Sequence, residues 1–373
     1  MTRYYIGLMS GTSTDGVDGV LVDFAPGGER ALRVLAHEHR AFEPSLRDAV
    51  LELNRPGKNE LHRAALIGNT IARLSAIVVE MLLARSGVAR AEISAIGVHG
   101  QTVRHCPGAI DGTGYTIQIN APALLAELTG IDVVCDFRSR DLAAGGQGAP
   151  LVPAFHGAMF ANLAPDLAVL NIGGISNLTV IRESTVVCGF DCGPGNVLMD
   201  HWCKRHTGAA FDDRGVWGAT GVIHKRLLEA MLREPYFSRG APKSTGRDLF
   251  NFEWLERHLT EQGEPVAAVD VQATLSELTA LICANDVRAN ARQAVLLLVC
   301  GGGTFNSHLM CRLAHHLPLL RVQTTGKAGL PATQVEACAF AWLAFEFIEG
   351  RAASLPSVTG ARGPRILGAL YPA

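Results

Sequence analysis

Short apolar runs alternate along this chain with longer stretches whose apolar residues recur at helical spacing. The runs predict strands at 95–98, 131–137, 186–190 and 295–300. The longer stretches predict helices at 45–53, 60–86, 121–128, 197–205, 274–291 and 334–349. Gly130, just after the third of these helices, is a typical C-terminal stop signal. Such alternation is typical of layered α/β proteins.

Two segments, 4–24 and 168–181, share one plan. In each, an apolar strand enters a glycine-rich turn and a second apolar strand returns. Glycine lets a backbone approach an anion closely, and successive N–H groups with Ser or Thr hydroxyls donate hydrogen bonds to phosphate oxygens. Either turn alone is also explained as an ordinary chain reversal. The pair together predicts a clamp for phosphates.

Three further glycine-rich segments bear on nucleotide binding. Gly301-Gly302-Gly303 follows a buried strand and predicts either an adenosine contact or a flexible turn. Gly193 and Gly195 do not form a GxGxxG fingerprint, so a dinucleotide fold is not indicated. The segment 242–247, Pro-Lys-Ser-Thr-Gly-Arg, superficially suggests a P-loop but lacks the two glycines that must precede its lysine. We also expect the Asn196 side chain to cap the helix at 197–205.

Composition narrows the class of protein. With 373 residues, of which 48% are hydrophobic and 18% charged, the chain can bury a large core, and its length favours two domains. A net charge of −2 provides no positive electrostatic field that would attract nucleic acid. Nine cysteines, scattered singly, are typical of a reducing compartment. No apolar stretch reaches about 18 residues without interruption, so we expect a soluble, cytoplasmic protein with no membrane partner.

Beyond these patterns, a series of collinear motifs resembles the anhydro-N-acetylmuramic acid kinase family, within the superfamily of acetate and sugar kinases, Hsp70 and actin. The motifs extend over most of the chain and lie at 7–18, 99–102, 136–141, 145–153, 171–177, 189–196 and 300–303. The resemblance implies an α/β, two-lobed actin-like ATPase fold with duplicated ribonuclease H-like domains around a central cleft. We expect an N-terminal lobe at 1–130, completed by about 345–373, a larger lobe at 131–344, and a homodimer.

The resemblance also implies an activity. The family uses ATP and Mg²⁺ to open the 1,6-anhydro ring of 1,6-anhydro-N-acetylmuramic acid with water and to phosphorylate O6. The products are N-acetylmuramic acid 6-phosphate and ADP, and the reaction serves peptidoglycan recycling. The substrate is therefore expected to be a small molecule.

The resemblance assigns nucleotide and catalytic roles to residues of this chain. Asp191 is the implied catalytic base, although a turn carboxylate of this kind is by itself more often an Asx turn. Asp15, otherwise an ordinary turn residue, is the candidate for organising Mg²⁺ through water, with Asp191 as a second metal candidate. The candidate cofactor-binding residues are Gly11, Thr12, Ser13, Thr14, Asp15, Gly16, Val17, Asp18, Gly173, Gly174, Gly193, Gly195, Gly301, Gly302, Gly303 and Asn306.

A lactyl carboxylate on the sugar needs a cation, which a guanidinium can supply bidentately. Arg138 and Arg140 are the candidates, although loop arginines are usually solvated or paired with a neighbouring carboxylate. His99 and Gln101 are also expected at the sugar, and His99 has the alternative of a hydrogen-bonded structural role. Glu336 could contact sugar hydroxyls or simply favour the helix dipole.

Two other functions stay open at this point. The first is a kinase for another sugar, or a phosphatase, on the same fold, because the loops and not the nucleotide turns decide the substrate. The second is a nucleotide-driven binding module like Hsp70, which is disfavoured because no peptide-binding domain follows in the sequence.

Overall fold

The computed structural model describes residues 4–11, 14–24 and 32–373. Within them the strands are β1 (Tyr4–Ser10), β2 (Gly16–Phe24), β3 (Leu32–Ala41), β4 (Ile93–Pro107), β5 (Gly114–Ile119), β6 (Val133–Cys135), β7 (Asp166–Ile172), β8 (Ile175–Arg182), β9 (Thr185–Pro194), β10 (Leu296–Cys300), β11 (Arg321–Thr324) and β12 (Ala369–Tyr371). The α-helices are α1 (Pro44–Glu52), α2 (Glu60–Ser86), α3 (Pro122–Thr129), α4 (Ser139–Ala143), α5 (Val152–Phe160), α6 (Val197–Thr207), α7 (Lys225–Leu232), α8 (Phe252–Thr260), α9 (Ala268–Asn290), α10 (Ser307–His316), α11 (Val335–Ile348) and α12 (Pro356–Thr359).

The chain forms two compact units. The first unit comprises Met1–Met159 and Gln334–Ala373, and the second comprises Phe160–Thr333. The boundary expected at 130/131 lies earlier in the chain than the boundary between Met159 and Phe160. The difference arises because β6 pairs with β4 and β12 in the sheet of the first unit.

Each unit contains one mixed sheet. In the first unit the strand order is β12-β6-β4-β1-β2-β3, with β5 paired to β4. There β1, β2 and β3 are antiparallel neighbours, and β4 and β6 continue parallel to β1. In the second unit the order is β11-β10-β7-β8-β9, with β7, β8 and β9 antiparallel and β10 and β11 parallel to β7. Three antiparallel strands followed by two parallel ones recur, so the expected α/β class and its duplicated ribonuclease H-like sheet are confirmed.

Strand β4 is longer than the sequence predicts. A strand ending at Val98 was expected, but β4 continues to Pro107. Its second half pairs antiparallel with β5, from Gln101 opposite Ile119 to Pro107 opposite Gly114. Pairing with β5 satisfies the backbone N–H and C=O groups of a polar stretch that lacks the apolar pattern of a buried strand. Both His99 and Gln101 therefore lie on a strand.

Helix α2 packs on the first sheet through Ile71, Val78 and Leu82, which are buried with residues of β2 and β4. Among the described helices, α2 alone is long and apolar enough to meet the length and composition of a membrane span. Half of its most apolar window is buried inside the unit, which is also the behaviour of a core helix. The C-terminal Gly130 stop of α3 is confirmed, with φ of 60° and its N–H bonded to the Ala126 carbonyl.

Helix α11 lies directly against the backbone of β4 at Gly97. A Cβ at this position would meet the Phe340 carbonyl oxygen at 2.0 Å, so the helix and strand approach this closely only because the residue is glycine. We therefore expect Gly97→Ala to lower the free energy of unfolding by about 2–3 kcal/mol, measured by urea denaturation. Gly57→Ala is the matched control, since its added methyl meets only Arg63 Nη1 at 3.6 Å and the Arg55 carbonyl oxygen at 3.9 Å, which are ordinary contact distances. Equal stability of the two variants would contradict this packing.

Candidate functional site

The turn between β1 and β2 is the first of the two expected phosphate turns, and the antiparallel hairpin around it is confirmed. The Thr14 N–H bonds the Gly11 carbonyl at 3.2 Å, and Thr14 has a positive φ of 51°. Asp15 is exposed at the turn, whereas Thr14 is buried. Thr12 and Ser13, two of the predicted cofactor-binding residues, lie outside the described residues.

Gln101 braces this first turn from β4. Its Nε2 donates to the Gly11 carbonyl at 3.1 Å, and its Oε1 accepts from Ser10 Oγ at 2.6 Å. The side chain is 1% exposed. The structure thus places Gln101, which was expected at the sugar, where it fixes the backbone of the turn.

The remaining predicted residues of the first turn lie at the start of β2. The Gly16 backbone pairs with Ala41, and the Val17 side chain is buried in the core of the first unit. Asp18 Oδ1 bonds His39 Nδ1 at 3.1 Å and His37 Nε2 at 3.4 Å. Burial alone would raise the pKa of Asp18, but the two histidines hold it below its ordinary value, while the Asp18 hydrogen bond raises the pKa of His39. Asp18 is therefore held as an anion by its neighbours on β3.

His99 is a neutral, fixed imidazole. Its Nδ1 lies 2.8 Å from the Gly100 carbonyl and 3.2 Å from the Ser10 carbonyl, so Nδ1 carries the proton. Its Nε2 accepts from Arg138, at 3.2 Å from Nε and 2.9 Å from Nη2. Burial, followed by the Arg138 charge, lowers the pKa of His99 to about 3. These hydrogen bonds agree with the structural role that was the alternative to a sugar contact for His99.

The two candidate arginines differ in their surroundings. Arg138 is half-buried and donates through Nη1 to the Gly148 carbonyl at 2.7 Å as well as to His99. The Gly148 N–H in turn donates to the buried Asp141, whose other oxygen accepts from Thr359 Oγ1. Arg140 is exposed on α4. The chain therefore builds a fixed support for the Arg138 guanidinium.

Glu336 lies in the first turn of α11, in a partly buried position. That helix belongs to the first unit and packs on β1 and β4, the strands that lead to the first turn and to His99. Its negative charge is at the end of the helix where it favours the dipole.

In the second unit, two of the expected nucleotide segments meet. The second hairpin turn, between β7 and β8, contains Gly173 and Gly174, and its carbonyl groups accept hydrogen bonds from the turn that follows β9. Gly195 N–H donates to the Gly174 carbonyl at 2.9 Å, and Asn196 N–H donates to the Gly173 carbonyl at 2.8 Å. Gly193 and Gly195 thus lie beside the second hairpin turn.

Asn196 does not cap α6 with its side chain, and that prediction was wrong. Its backbone already has helical dihedrals, with φ of −83° and ψ of −17°. The side-chain Nδ2 donates instead to the Ile172 carbonyl at 3.3 Å, which ties the turn to the end of β7.

The Gly301–Gly303 segment joins the same region of the second unit. Gly301 has φ of 83°, and a Cβ there would meet Asn171 Oδ1, at the end of β7, at 2.4 Å. The Gly302 backbone lies near Asn196, and Gly303 packs on Ile172. Asn306 Oδ1 accepts from the Leu309 N–H at 2.9 Å and so caps α10. Three glycine segments far apart in sequence therefore converge at the ends of β7, β9 and β10.

Asp191 lies near the end of β9, opposite Asn177 of β8, and is 8% exposed. Its Oδ2 accepts from the Thr245 N–H at 3.0 Å, and its backbone N–H donates to the Lys243 carbonyl at 3.2 Å. The Tyr236 hydroxyl donates to the Asp191 carbonyl at 2.7 Å. A hydrogen bond from a backbone amide favours the ionised form of a carboxylate, which is the form that a general base requires.

Tyr236, Lys243 and Thr245 were not among the residues predicted for the site, although all three contact Asp191. The only signal was the motif at 242–247, which the sequence identifies correctly as not being a P-loop but does not connect to Asp191. The contact joins residues 54 positions apart, and local patterns carry no information about it.

One exposed carboxylate, Asp15, is compatible with a Mg²⁺ ion that keeps most of its water ligands. Within the described ranges, no three His, Cys, Asp or Glu side chains form a group able to hold a metal ion. Asp15 is an exposed carboxylate at the tip of a phosphate-type turn, and Mg²⁺ commonly takes one or two carboxylates while keeping several waters.

The duplicated sheets, each with a glycine turn at its first hairpin, place this chain in the class of two-unit α/β proteins with duplicated ribonuclease H-like sheets. A family model described as anhydro-N-acetylmuramic acid kinase matches residues 3–373. Proteins named anhydro-N-acetylmuramic acid kinase are 56% identical in Albidiferax ferrireducens, over 100% of both chains, and 57% identical in Variovorax paradoxus, over 99% of both. A third, from Cupriavidus pinatubonensis, is 54% identical over 99% of this chain and 98% of its own. The chain belongs to the anhydro-N-acetylmuramic acid kinase family.

Proposed function

We propose that this enzyme uses ATP to open the 1,6-anhydro ring of 1,6-anhydro-N-acetylmuramic acid and to phosphorylate O6. The products are N-acetylmuramic acid 6-phosphate and ADP. The observation that carries the proposal is the buried Asp191 carboxylate, held by the Thr245 N–H in the same unit as the converging glycine segments. Family membership supplies the substrate class.

In this reaction, Asp191 accepts a proton from the water that attacks C1 of the sugar. The new bond joins the water oxygen to C1, and the bond from C1 to O6 breaks. O6 then takes the γ-phosphoryl group, and the bond from that phosphorus to the β,γ-bridging oxygen breaks to release ADP. The hydrogen bond from Thr245 supports this role because an amide donor favours the ionised form of a carboxylate and fixes its orientation.

The glycine turns supply donors for the nucleotide. Gly11 to Asp18 are proposed to contact the phosphates through backbone N–H groups, with Gln101 holding the Gly11 carbonyl in place. Gly173, Gly174, Gly193 and Gly195 are proposed to serve the phosphates from the second unit, and Gly301 to Gly303 to lie against the adenosine. Mg²⁺, when bound, neutralises charge on the transferred phosphoryl group, and Asp15 is the proposed residue that organises it through water.

For the sugar, we assign the lactyl carboxylate to Arg138. The support for this choice is that His99 and Gly148 fix the plane of its guanidinium, which reduces the entropy lost when it binds a planar carboxylate. Glu336 is proposed to contact sugar hydroxyls. A cytoplasmic location, a role in peptidoglycan recycling and a homodimeric state belong to the same proposal and depend on the family resemblance.

The test is a steady-state assay of ADP release by the purified protein with MgATP and a panel of sugars. We expect turnover with 1,6-anhydro-N-acetylmuramic acid and at least 100-fold lower kcat/KM with N-acetylmuramic acid, N-acetylglucosamine or glucose. Preference for one of the open-ring sugars would overturn the proposal in favour of a kinase for another sugar.

A further inference from the structure

The segment 242–247 contains a buried lysine. The Lys243 side chain is 4% exposed, and in the part of the chain that the structure describes its Nζ has no hydrogen-bond partner. Nζ lies 3.8 Å from Asp286 Oδ2 on α9, 4.9 Å from the ring centre of Tyr236 and 5.2 Å from that of Phe190. Burying an ammonium is costly unless opposite charge and aromatic faces compensate it, so this position is unusual for a lysine without a role.

Both aromatic residues that Lys243 contacts are joined to Asp191. Phe190 is the preceding residue in β9, and Tyr236 donates its hydroxyl to the Asp191 carbonyl. The Lys243 carbonyl accepts from the Asp191 N–H, and two residues further on the Thr245 N–H holds Asp191 Oδ2. Lys243 is therefore at the centre of the contacts that surround the catalytic carboxylate.

Only some of the ionisable groups around Lys243 and Asp191 are charged near pH 7. Burial raises the pKa of Tyr236 and of Cys192, so both stay neutral near pH 7. Burial also raises the pKa of Asp286, while the Lys243 ammonium, and then a hydrogen bond with Cys192, oppose that shift. Besides Asp191 itself, the charged groups near this end of β9 include Lys243, Asp286 and Arg239, whose guanidinium lies 5.8 Å from the ring centre of Tyr236.

We propose that Lys243 is a positioning residue for Asp191, whose buried cation fixes the 242–247 segment so that the Thr245 N–H holds the catalytic carboxylate. This inference rests on the role proposed for Asp191. It assigns a purpose to the motif that resembles a P-loop without being one.

Replacement of the cation should slow the chemistry without weakening substrate binding. We expect Lys243→Met to lower kcat by about 10- to 100-fold, which is the worth of one hydrogen bond to a charged group, with both KM values within about twofold. Loss of the Thr245 amide donor should raise the pKa of Asp191. The acidic limb of the profile of kcat/KM against pH should therefore move to higher pH.

Three further variants separate positioning from stability. Lys243→Arg keeps the cation over the rings and should recover most of kcat. Lys243→Met combined with Asp286→Asn removes the half-buried carboxylate that would lose its cation, so it should fold normally and still be slow. Lys225→Met, at an exposed lysine of α7 in the same unit, should match the wild type. If Lys243→Met keeps the wild-type kcat and pH profile, or if the double variant regains full activity, the inference is wrong.

A readout without substrate keeps the inference separate from the proposed function. The titration of ¹³C-carboxyl aspartate can be followed by NMR, with the Asp191 signal assigned by its loss in Asp191→Asn. In Lys243→Met this signal should titrate at higher pH than in the wild type, whichever sugar the enzyme uses. An unmoved Asp191 signal in an enzyme that turns over the anhydro sugar overturns the inference alone, whereas absence of turnover by the wild type overturns the proposed function.

Discussion

Asp191→Asn is expected to lower kcat by about 10³-fold, within the range that general-base catalysis contributes. An asparagine has nearly the same size and can still accept the hydrogen bond from the Thr245 N–H, but it cannot take a proton from water. The KM for MgATP should stay within about threefold, because the glycine turns are unchanged. Initial rates of ADP release at saturating sugar measure the effect.

Asp212→Asn is the matched control for this variant. Asp212 is also a buried carboxylate of the second unit, 9% exposed, and it accepts hydrogen bonds from the Trp217 and Gly218 N–H groups at 2.9 and 2.8 Å. It belongs to no part of the proposed machinery, so its variant should keep kcat within a few fold. Equal losses of kcat in the two variants, or a fully active Asp191→Asn, would exclude Asp191 as the base.

Arg138→Ala is expected to raise the KM for the anhydro sugar by about 30- to 100-fold. Charged hydrogen bonds to a carboxylate contribute about 1.5–3 kcal/mol, and each 1.4 kcal/mol is a factor of ten. The substitution also removes the donor to His99 Nε2, so kcat should fall as well. Steady-state kinetics with the sugar varied at saturating MgATP measure both constants.

Two comparisons test whether the carboxylate is the partner of Arg138. Arg140→Ala, at the exposed arginine of α4, should change KM by less than about threefold. The wild type should bind 1,6-anhydro-N-acetylglucosamine, which lacks the lactyl group, about as weakly as Arg138→Ala binds the full substrate. Arg138→Ala should then discriminate little between the two sugars. A larger effect from Arg140 would reverse the assignment.

The parts of the fold that depend on local pattern could be predicted from the sequence. The two strand-turn-strand units follow from apolar alternation and glycine placement, and both hairpins form as expected. Helix α2 has the predicted bounds because its helical spacing is long and uninterrupted. Strand β4 was predicted too short because its second half is polar and depends on pairing with β5.

The candidate site likewise has parts that local pattern predicts and parts that depend on contacts between distant residues. The glycine segments of the second unit were each recognisable, and the sheet topology brings them together. The roles of single side chains depend on partners far away in sequence, so Gln101 braces a turn and Asn196 bonds the end of β7 and not its own helix. The contacts of Lys243 and Thr245 with Asp191 belong to this second kind.

Oxygen-isotope incorporation tests the proposed reaction most directly. The protein is incubated briefly with MgATP and 1,6-anhydro-N-acetylmuramic acid in ¹⁸O-water, beside a control in which unlabelled product is kept in the same water to measure exchange at C1. We expect one ¹⁸O at C1 of a 6-phosphosugar in step with ADP release, and loss of this product in Asp191→Asn. ADP formed with ¹⁸O in inorganic phosphate, or a phosphosugar without label at C1, would contradict the proposed reaction.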